Sequence, residues 1–399
     1  MRERILQYLN LTNFVIAACV LSLCSKLYIM SVFRIGDLLL LFALVLLAGK
    51  TIIINPIKQN ALSEIILLLI ISCLISIFLG TPVTHFLDVL ILPNMLHDTL
   101  SILLTLLLAF FFLLNYKTIN ITNIYFIAGI YIIIEIIVFC FMFSGLITRL
   151  NWLDSPRLSF FSANPNQFAL LMLPAPFLFI FLMDEIKNIF CRGVLGIFFL
   201  LTIYIGYLIK SDALYFAWIV GFYPWIKKGL FNRFSMFFLF LAVLVAFTLY
   251  SDVIIQQIDV LLKLINKYIV FIGVNKGQGS DRIQRWINAI IAVSYSPLWG
   301  LGPGTYSGAK APFLQGEAHN TLLDIAMYGG ILSLILFIYF FVIIVRKLFR
   351  DGHASLLMMS VSLLVFSMFH YTLRQPFFIF MFLFAYLLSR TEKIQESPN

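Results

Sequence analysis

Apolar residues come in blocks of about twenty along almost the whole chain, separated by short polar stretches. A helix that crosses a hydrocarbon layer about 30 Å thick needs roughly this many. The blocks predict about twelve such helices, over residues 12–32, 36–54, 62–80, 98–115, 123–146, 166–183, 193–209, 212–226, 234–251, 321–345, 354–372 and 375–389. Two boundaries rest on little polar sequence: Lys210-Ser211-Asp212 and the run from His370 to Gln375. The expected fold is therefore an all-α polytopic membrane protein, a single transmembrane domain over residues 1–399.

Residues 252–320, between the ninth and tenth predicted spans, have a different pattern. An amphipathic stretch from Asp252 to Ile272 leads into Asn275-Lys276-Gly277-Gln278-Gly279 and then a second amphipathic segment that runs to about Ser294. Ser280 or Asp281 is suited to cap that helix, because either side chain can accept from the unpaired N–H groups of its first turn. Arg282 and Arg285 are three apart and share a face, with Ile283, Trp286, Ile287, Ile290 and Ile291 on the other. Such a helix should lie on the membrane surface or on the spans and turn its arginines to a cavity. Pro297, Gly300, Gly302, Pro303 and Gly304 follow, a turn-rich passage that lets backbone approach a ligand closely.

Composition removes the soluble alternatives. With 62% hydrophobic and 11% charged residues and a mean hydropathy of +1.03, no water-soluble fold has enough interior for the apolar side chains. Met1-Arg2-Glu3-Arg4 runs into an apolar span with no small-residue cleavage site, so the first helix is expected to stay. Four of the five cysteines lie in predicted spans and Cys191 in an inner loop, a distribution that indicates no disulfide framework. The net charge of +9 is spread over loops on both sides. That fits anionic membrane lipids and not nucleic acid.

Orientation follows from the excess of Lys and Arg in cytoplasmic loops. With both termini inside, 15 of the 27 basic residues fall in inner loops. Six lie in the large outer segment, five (Arg34, Arg149, Arg157, Lys210 and Arg374) near other outer helix ends, and Lys26 inside the first span. Positive charge should be scarce outside, so Arg157, Arg282 and Arg285 there suggest an anion to hold. His319 begins the return to the membrane, where the positive end of the helix dipole disfavours a protonated imidazole and leaves it able to accept a proton.

Each residue also has a plainer use. Arg157 can anchor a helix end, Arg285 can belong to a solvated face, Asn166 can cap the sixth span, and Gly330 can permit close helix packing. Glu135, inside the fifth span, is either functional or a neutral hydrogen-bonded carboxyl. His85, Asp88, His97 and Asp98 border one outer loop, but their spacing matches no recognised metal site and none is assigned a metal role.

The pattern resembles the O-antigen ligase and polymerase superfamily of bacterial inner-membrane proteins, and the ligases most closely. Arg157 with Asn164-Pro165-Asn166, Arg282 followed by Trp286, the Pro297–Gly304 turn with Gly302, and His319-Asn320 with Gly330 carry the resemblance over roughly residues 155–335. The family's final motif position, Gly, Thr or Tyr, is Ser333 here, and a Ser-Arg pair is replaced by Ser211-Asp212. The resemblance implies transfer of a polysaccharide from undecaprenyl pyrophosphate to a sugar of the lipid A core at the periplasmic face, with no cofactor, nucleotide or metal. In that scheme the periplasmic segment 252–320 carries the active site. Arg282 and His319 are catalytic, Arg157 and Arg285 hold the diphosphate, and Asn320, Asn166, Gly330 and Gly302 support them. An O-antigen polymerase and a protein O-oligosaccharyltransferase share the chemistry. A flippase or transporter would instead concentrate polar or broken-helix features at mid-membrane depth.

Overall fold

The computed structural model describes residues 10–29, 33–54, 60–87, 92–116, 119–145, 153–154, 157–227, 278–304, 306–307 and 316–390. The predicted ninth span and the amphipathic stretch from Asp252 to Ile272 lie outside these residues. The chain divides into two compact units, Met1–Gly221 with Arg285–Asn399, and Phe222–Gln284.

Helices α1 (Leu11–Leu23), α2 (Ile35–Ile54), α3 (Ala61–Phe86), α4 (Leu92–Asn115) and α5 (Ile121–Phe143) follow the first five apolar blocks. Helices α6 (Pro165–Met172) and α7 (Ala175–Glu185) share the sixth block, and α8 (Ile189–Ile209) and α9 (Asp212–Lys227) take the next two. After α10 (Gln278–Tyr295), α11 (Thr321–Arg350), α12 (Ala354–Ser367) and α13 (Pro376–Leu388) close the chain. Two short antiparallel hairpins, β1 (Tyr28–Ile29) with β2 (Phe33–Arg34) and β3 (Leu153–Asp154) with β4 (Arg157–Leu158), sit in loops. Among the described residues, seven stretches are long and apolar enough to cross a membrane, and α1, α12 and α13 are shorter apolar helices. Helix α13, buried along its whole length, packs against α1, α4, α11 and α12.

Three spans differ from expectation. The first ends at Leu23, where the Cys24 N–H turns back to the Leu21 carbonyl. Lys26, expected inside that span, lies beyond it, and its ammonium donates to Ser159 Oγ at 2.9 Å. The sixth span is broken at Leu173-Pro174 because Pro174 and Pro176 have no N–H to give the preceding turn. Carbonyls near the break take donors from neighbouring helices: Tyr131 Oη–H reaches the Leu171 oxygen at 2.9 Å and Trp218 Nε1–H the Leu173 oxygen at 3.1 Å. Unpaired backbone groups are costly inside a membrane, so these side chains make the proline break tolerable.

The third difference is in α11, read from the sequence as one span but broken at Gly330 (φ 69°, ψ −171°). The turn after α10 fills the break. An unbroken helix would pair the Ile331 N–H with the Met327 carbonyl. Here Ile331 donates to the Pro297 carbonyl at 2.8 Å, while the Met327 and Tyr328 carbonyls accept from Leu301 and Gly302 at 2.6 and 3.0 Å. A Cβ on Gly330 would collide with the Leu298 carbonyl and the Trp299 nitrogen, and one on Gly300 with Tyr328 and the Gly330 nitrogen. Gly330 thus admits a loop's backbone, a closer approach than helix–helix packing requires. Ser333, where the motif departs, shares a hydrogen bond of 2.6 Å with Ser72 of α3.

Candidate functional site

The seat of His319 is built by its neighbours in sequence. Asn320 caps α11, its Oδ1 accepting from the Leu322 and Leu323 N–H groups at 3.1 and 3.3 Å. Asp324, buried one turn on, turns its carboxylate back: Oδ1 accepts from the Ala318 N–H at 3.0 Å and Oδ2 from the Asn320 N–H at 3.3 Å. Trp286 of α10 donates Nε1–H to the Ala318 carbonyl at 3.0 Å. Held on both sides, His319 adopts φ 53°. Few non-glycine residues take that conformation without such support. Its side chain remains 40% exposed.

Two charged groups flank the imidazole. Arg285 Nη1 lies 3.2 Å from His319 Nε2, and Glu317 Oε2 lies 3.6 Å from Nδ1. A guanidinium can only donate, so Nε2 presents its lone pair and the ring proton belongs on Nδ1, towards Glu317. Glu317 is in turn gripped by Arg374, whose Nη2 stands 2.5 Å from Oε1. Arg374 Nη1 also donates to Asp98 at 3.1 Å, and its guanidinium lies over the Tyr371 ring, 5.1 Å from the centroid. Burial opposes charge on Arg374, but Glu317, Tyr371 and Asp98 outweigh it and hold its pKa above the ordinary arginine value. Asp98–Arg374–Glu317–His319 is therefore a continuous charged chain ending on the imidazole.

Arg157 is fixed separately. It starts β4, and its Nε donates to the Ile209 carbonyl at 3.2 Å and its Nη2 to Asn166 Oδ1 at 3.0 Å. Asn166 is not the cap of its helix; Asn164 is, accepting from the Gln167 N–H, with Pro165 in the first position. Asn166 instead holds Arg157, placing the loop before α6 against the end of α8.

The structure thus joins Arg285 to His319 and Arg157 to Asn166. Gly302 and Gly330 lie in the broken-helix seam beneath His319-Asn320. Arg282 is on α10, which begins at Gln278, ahead of the Ser280 or Asp281 cap read from the sequence; its side chain lies outside the described residues. Glu135 is buried and accepts the Thr202 hydroxyl, the hydrogen-bonded alternative of the sequence reading. Glu317, Asp324 and Arg374 were not singled out from the sequence. Signals were present, an Asp four residues past the cap and a basic residue in a short loop that the charge pattern predicts to be outer, but neither names its partner.

A polytopic helical protein with an arginine–histidine centre at a helix start and a loop threaded into the helix below it is the class defined so far. Residues 195–338, from α8 through the break in α11, match the family described as O-Antigen ligase. The matched family is the one that the motifs resemble, and the match supports a function of O-antigen ligase or polymerase type. It includes Arg282, Arg285, Gly302, His319, Asn320 and Gly330, while Arg157, Asn166 and Arg374 fall outside it. No curated protein matches the chain.

Proposed function

We propose that the protein is an O-antigen ligase of the bacterial inner membrane, working at its periplasmic face. It transfers polysaccharide from undecaprenyl pyrophosphate to a hydroxyl of the lipid A-core oligosaccharide, with no nucleotide or metal. The observation that carries this reading is the Arg285–His319–Glu317 contact, a proton acceptor between an anion-binding cation and an orienting carboxylate.

In the transfer, the acceptor oxygen attacks the anomeric carbon of the donor sugar as its proton passes to His319 Nε2. The bond from that carbon to the diphosphate breaks, and its electron pair leaves with the undecaprenyl diphosphate. Charge therefore grows on the leaving group. Arginine meets it with permanently charged, forked donors, and fixed donors aimed at developing charge are commonly the largest contribution to catalysis. Arg285 holds the Nε2 lone pair in the resting site. When its guanidinium turns to the diphosphate, the base is released only with donor in place. Arg157, preset by Asn166, and Arg282 are the further diphosphate ligands. Glu317 keeps the proton on Nδ1 and favours the imidazolium that forms.

The test uses purified full-length protein, lipid-linked polysaccharide and bare core lipopolysaccharide, without ATP or added metal. Capped lipopolysaccharide should appear. His319→Ala should lower its rate at least about 100-fold, the usual contribution of a positioned base. Arg282→Lys, which keeps charge but not the fork, should cost about tenfold, equivalent to about 1.4 kcal/mol. Elongation of the lipid-linked chain with no product on core would make the protein a polymerase. Normal capping by His319→Ala would remove the imidazole from the reaction.

A further inference from the structure

A cavity of about 360 Å³ lies beside the charged chain that ends on His319, and Arg374 lines it. Arg34, Asp37, His97 and Gln167 contribute polar groups, while Leu40 and Leu104 contribute apolar surface. Among the described residues, neither Arg34 nor Asp37 forms an ion pair, although both face this space. The lining therefore offers guanidinium donors, a carboxylate acceptor, the NH2 of Gln167, whose oxygen already accepts from Ser25 and Ala163, and a hydrocarbon surface.

That combination selects among ligands. A diphosphate would meet Arg34 but be repelled by Asp37, and a cation would be repelled by the arginines. An acyl chain alone would cover Arg34 and Asp37 without giving either a new hydrogen bond, which is costly. A sugar ring satisfies them all. Adjacent hydroxyls donate to a carboxylate and accept from a guanidinium at once, and the ring's C–H face rests on leucine. Mostly apolar pockets with a few placed polar groups are the common form of small-molecule site. This cavity is more polar, as suits a carbohydrate.

Resting on the ligase reading above, we propose that this cavity is the acceptor subsite, binding a sugar of the lipid-anchored core through Arg34 and Asp37. Arg374 then connects it with the reaction centre, because the guanidinium that lines the cavity also holds Glu317 against His319. Filling the cavity and orienting the base become one event, and the acceptor hydroxyl arrives where its proton can be taken.

Initial rates measured while each substrate is varied separate this subsite from a donor site. Arg34→Gln and Asp37→Asn should raise the KM for core lipopolysaccharide tenfold or more, leaving the KM for lipid-linked polysaccharide within about twofold. Leu104→Trp, which fills the space and keeps every charge, should do the same. A rise in the donor KM instead would assign the cavity to the donor's sugar and overturn the acceptor proposal, as would unchanged constants in well-folded variants. Binding of delipidated core oligosaccharide, followed by saturation-transfer NMR on His319→Ala protein, needs no turnover. It should be seen with the cavity intact and lost when Leu104→Trp is added. Absent binding overturns the subsite, whereas binding together with no ligation by the protein that retains His319 would overturn the ligase reading alone.

Discussion

At the scale of single residues, the imidazole is governed by groups it does not adjoin in sequence. Glu317 reaches it through space, and Glu317 itself is oriented by Arg374, which Asp98 and Tyr371 fix. Breaking a buried charge pair leaves the remaining charge uncompensated, at a cost of about 3–5 kcal/mol when burial is complete. Arg374 is partly exposed, so the cost should be smaller. We expect Glu317→Gln to lower kcat about tenfold and to move the acidic limb of the pH–rate profile to lower pH, because no carboxylate then favours the imidazolium. Arg374→Gln should act through the same link, so the double variant should be little worse than either single one. A full multiplicative loss in the double variant, with the pH profile unmoved, would show that the two residues act independently of His319. Arg285 and Arg157 were legible as candidates because the charge rule predicts few basic groups at the helix ends they occupy, and His319 because it stands at a helix start where a neutral imidazole is favoured. Glu317 and Arg374, 57 residues apart in the numbering, were not, because no periodicity connects them.

At the scale of elements, the His-Asn motif and its glycine form one construction. The capped start of α11 carries His319, and ten residues beyond Asn320, about 15 Å along the helix, Gly330 opens the backbone to the turn from Pro297 to Gly302. That turn belongs to the chain following α10, so the helix bearing Arg285 and the helix start bearing His319 are tied by backbone hydrogen bonds below the site and by Trp286 beside it. The seam is a broken-helix feature, but the chain's own backbone fills it. Gly330→Ala should therefore be severe, since left-handed geometry costs an L-residue about 1–2 kcal/mol before the collision with Leu298. We expect a marked loss of thermal stability in detergent and loss of transfer, measured by a melting curve and the ligation assay. A variant with unchanged melting would mean that the turn does not occupy the break. The sequence showed that Gly330 mattered and suggested packing. It could not show that the packed partner is a loop, since the bonds exchanged are backbone ones with no side-chain signature.

At the scale of the whole molecule, the apolar blocks that fall on described residues translate into helices, with an early stop in α1 and breaks at Pro174 and Gly330. Arg285, His319, Glu317, Arg374 and Asp98 meet at one end of the bundle, while the Lys347, Arg350 and Asp351 ion pairs lie at the other end of α11. The charge rule for cytoplasmic loops leads us to expect the first end in the periplasm, and cysteine labelling tests it. With Cys140 and Cys191 replaced by Ser, a cysteine at Leu298, which is 55% exposed, should react with a membrane-impermeant maleimide in cells whose outer membrane is permeabilised. A cysteine at Phe349 should react only after lysis. The reverse labelling would place the site in the cytosol and defeat the ligase reading.

The pattern of the chain by itself determined that it forms long apolar helices, roughly where the described ones run, and which basic residues to suspect of holding an anion. Each of these depends on local apolar length, caps and charge, which are written in consecutive residues. Only the tertiary structure decided which carboxylate and which arginine serve His319, why Gly330 must lack a side chain, and that Arg34 and Asp37 share a cavity with Arg374. Those outcomes depend on groups far apart in the chain being brought within hydrogen-bonding reach, and short-range pattern carries no record of such distances.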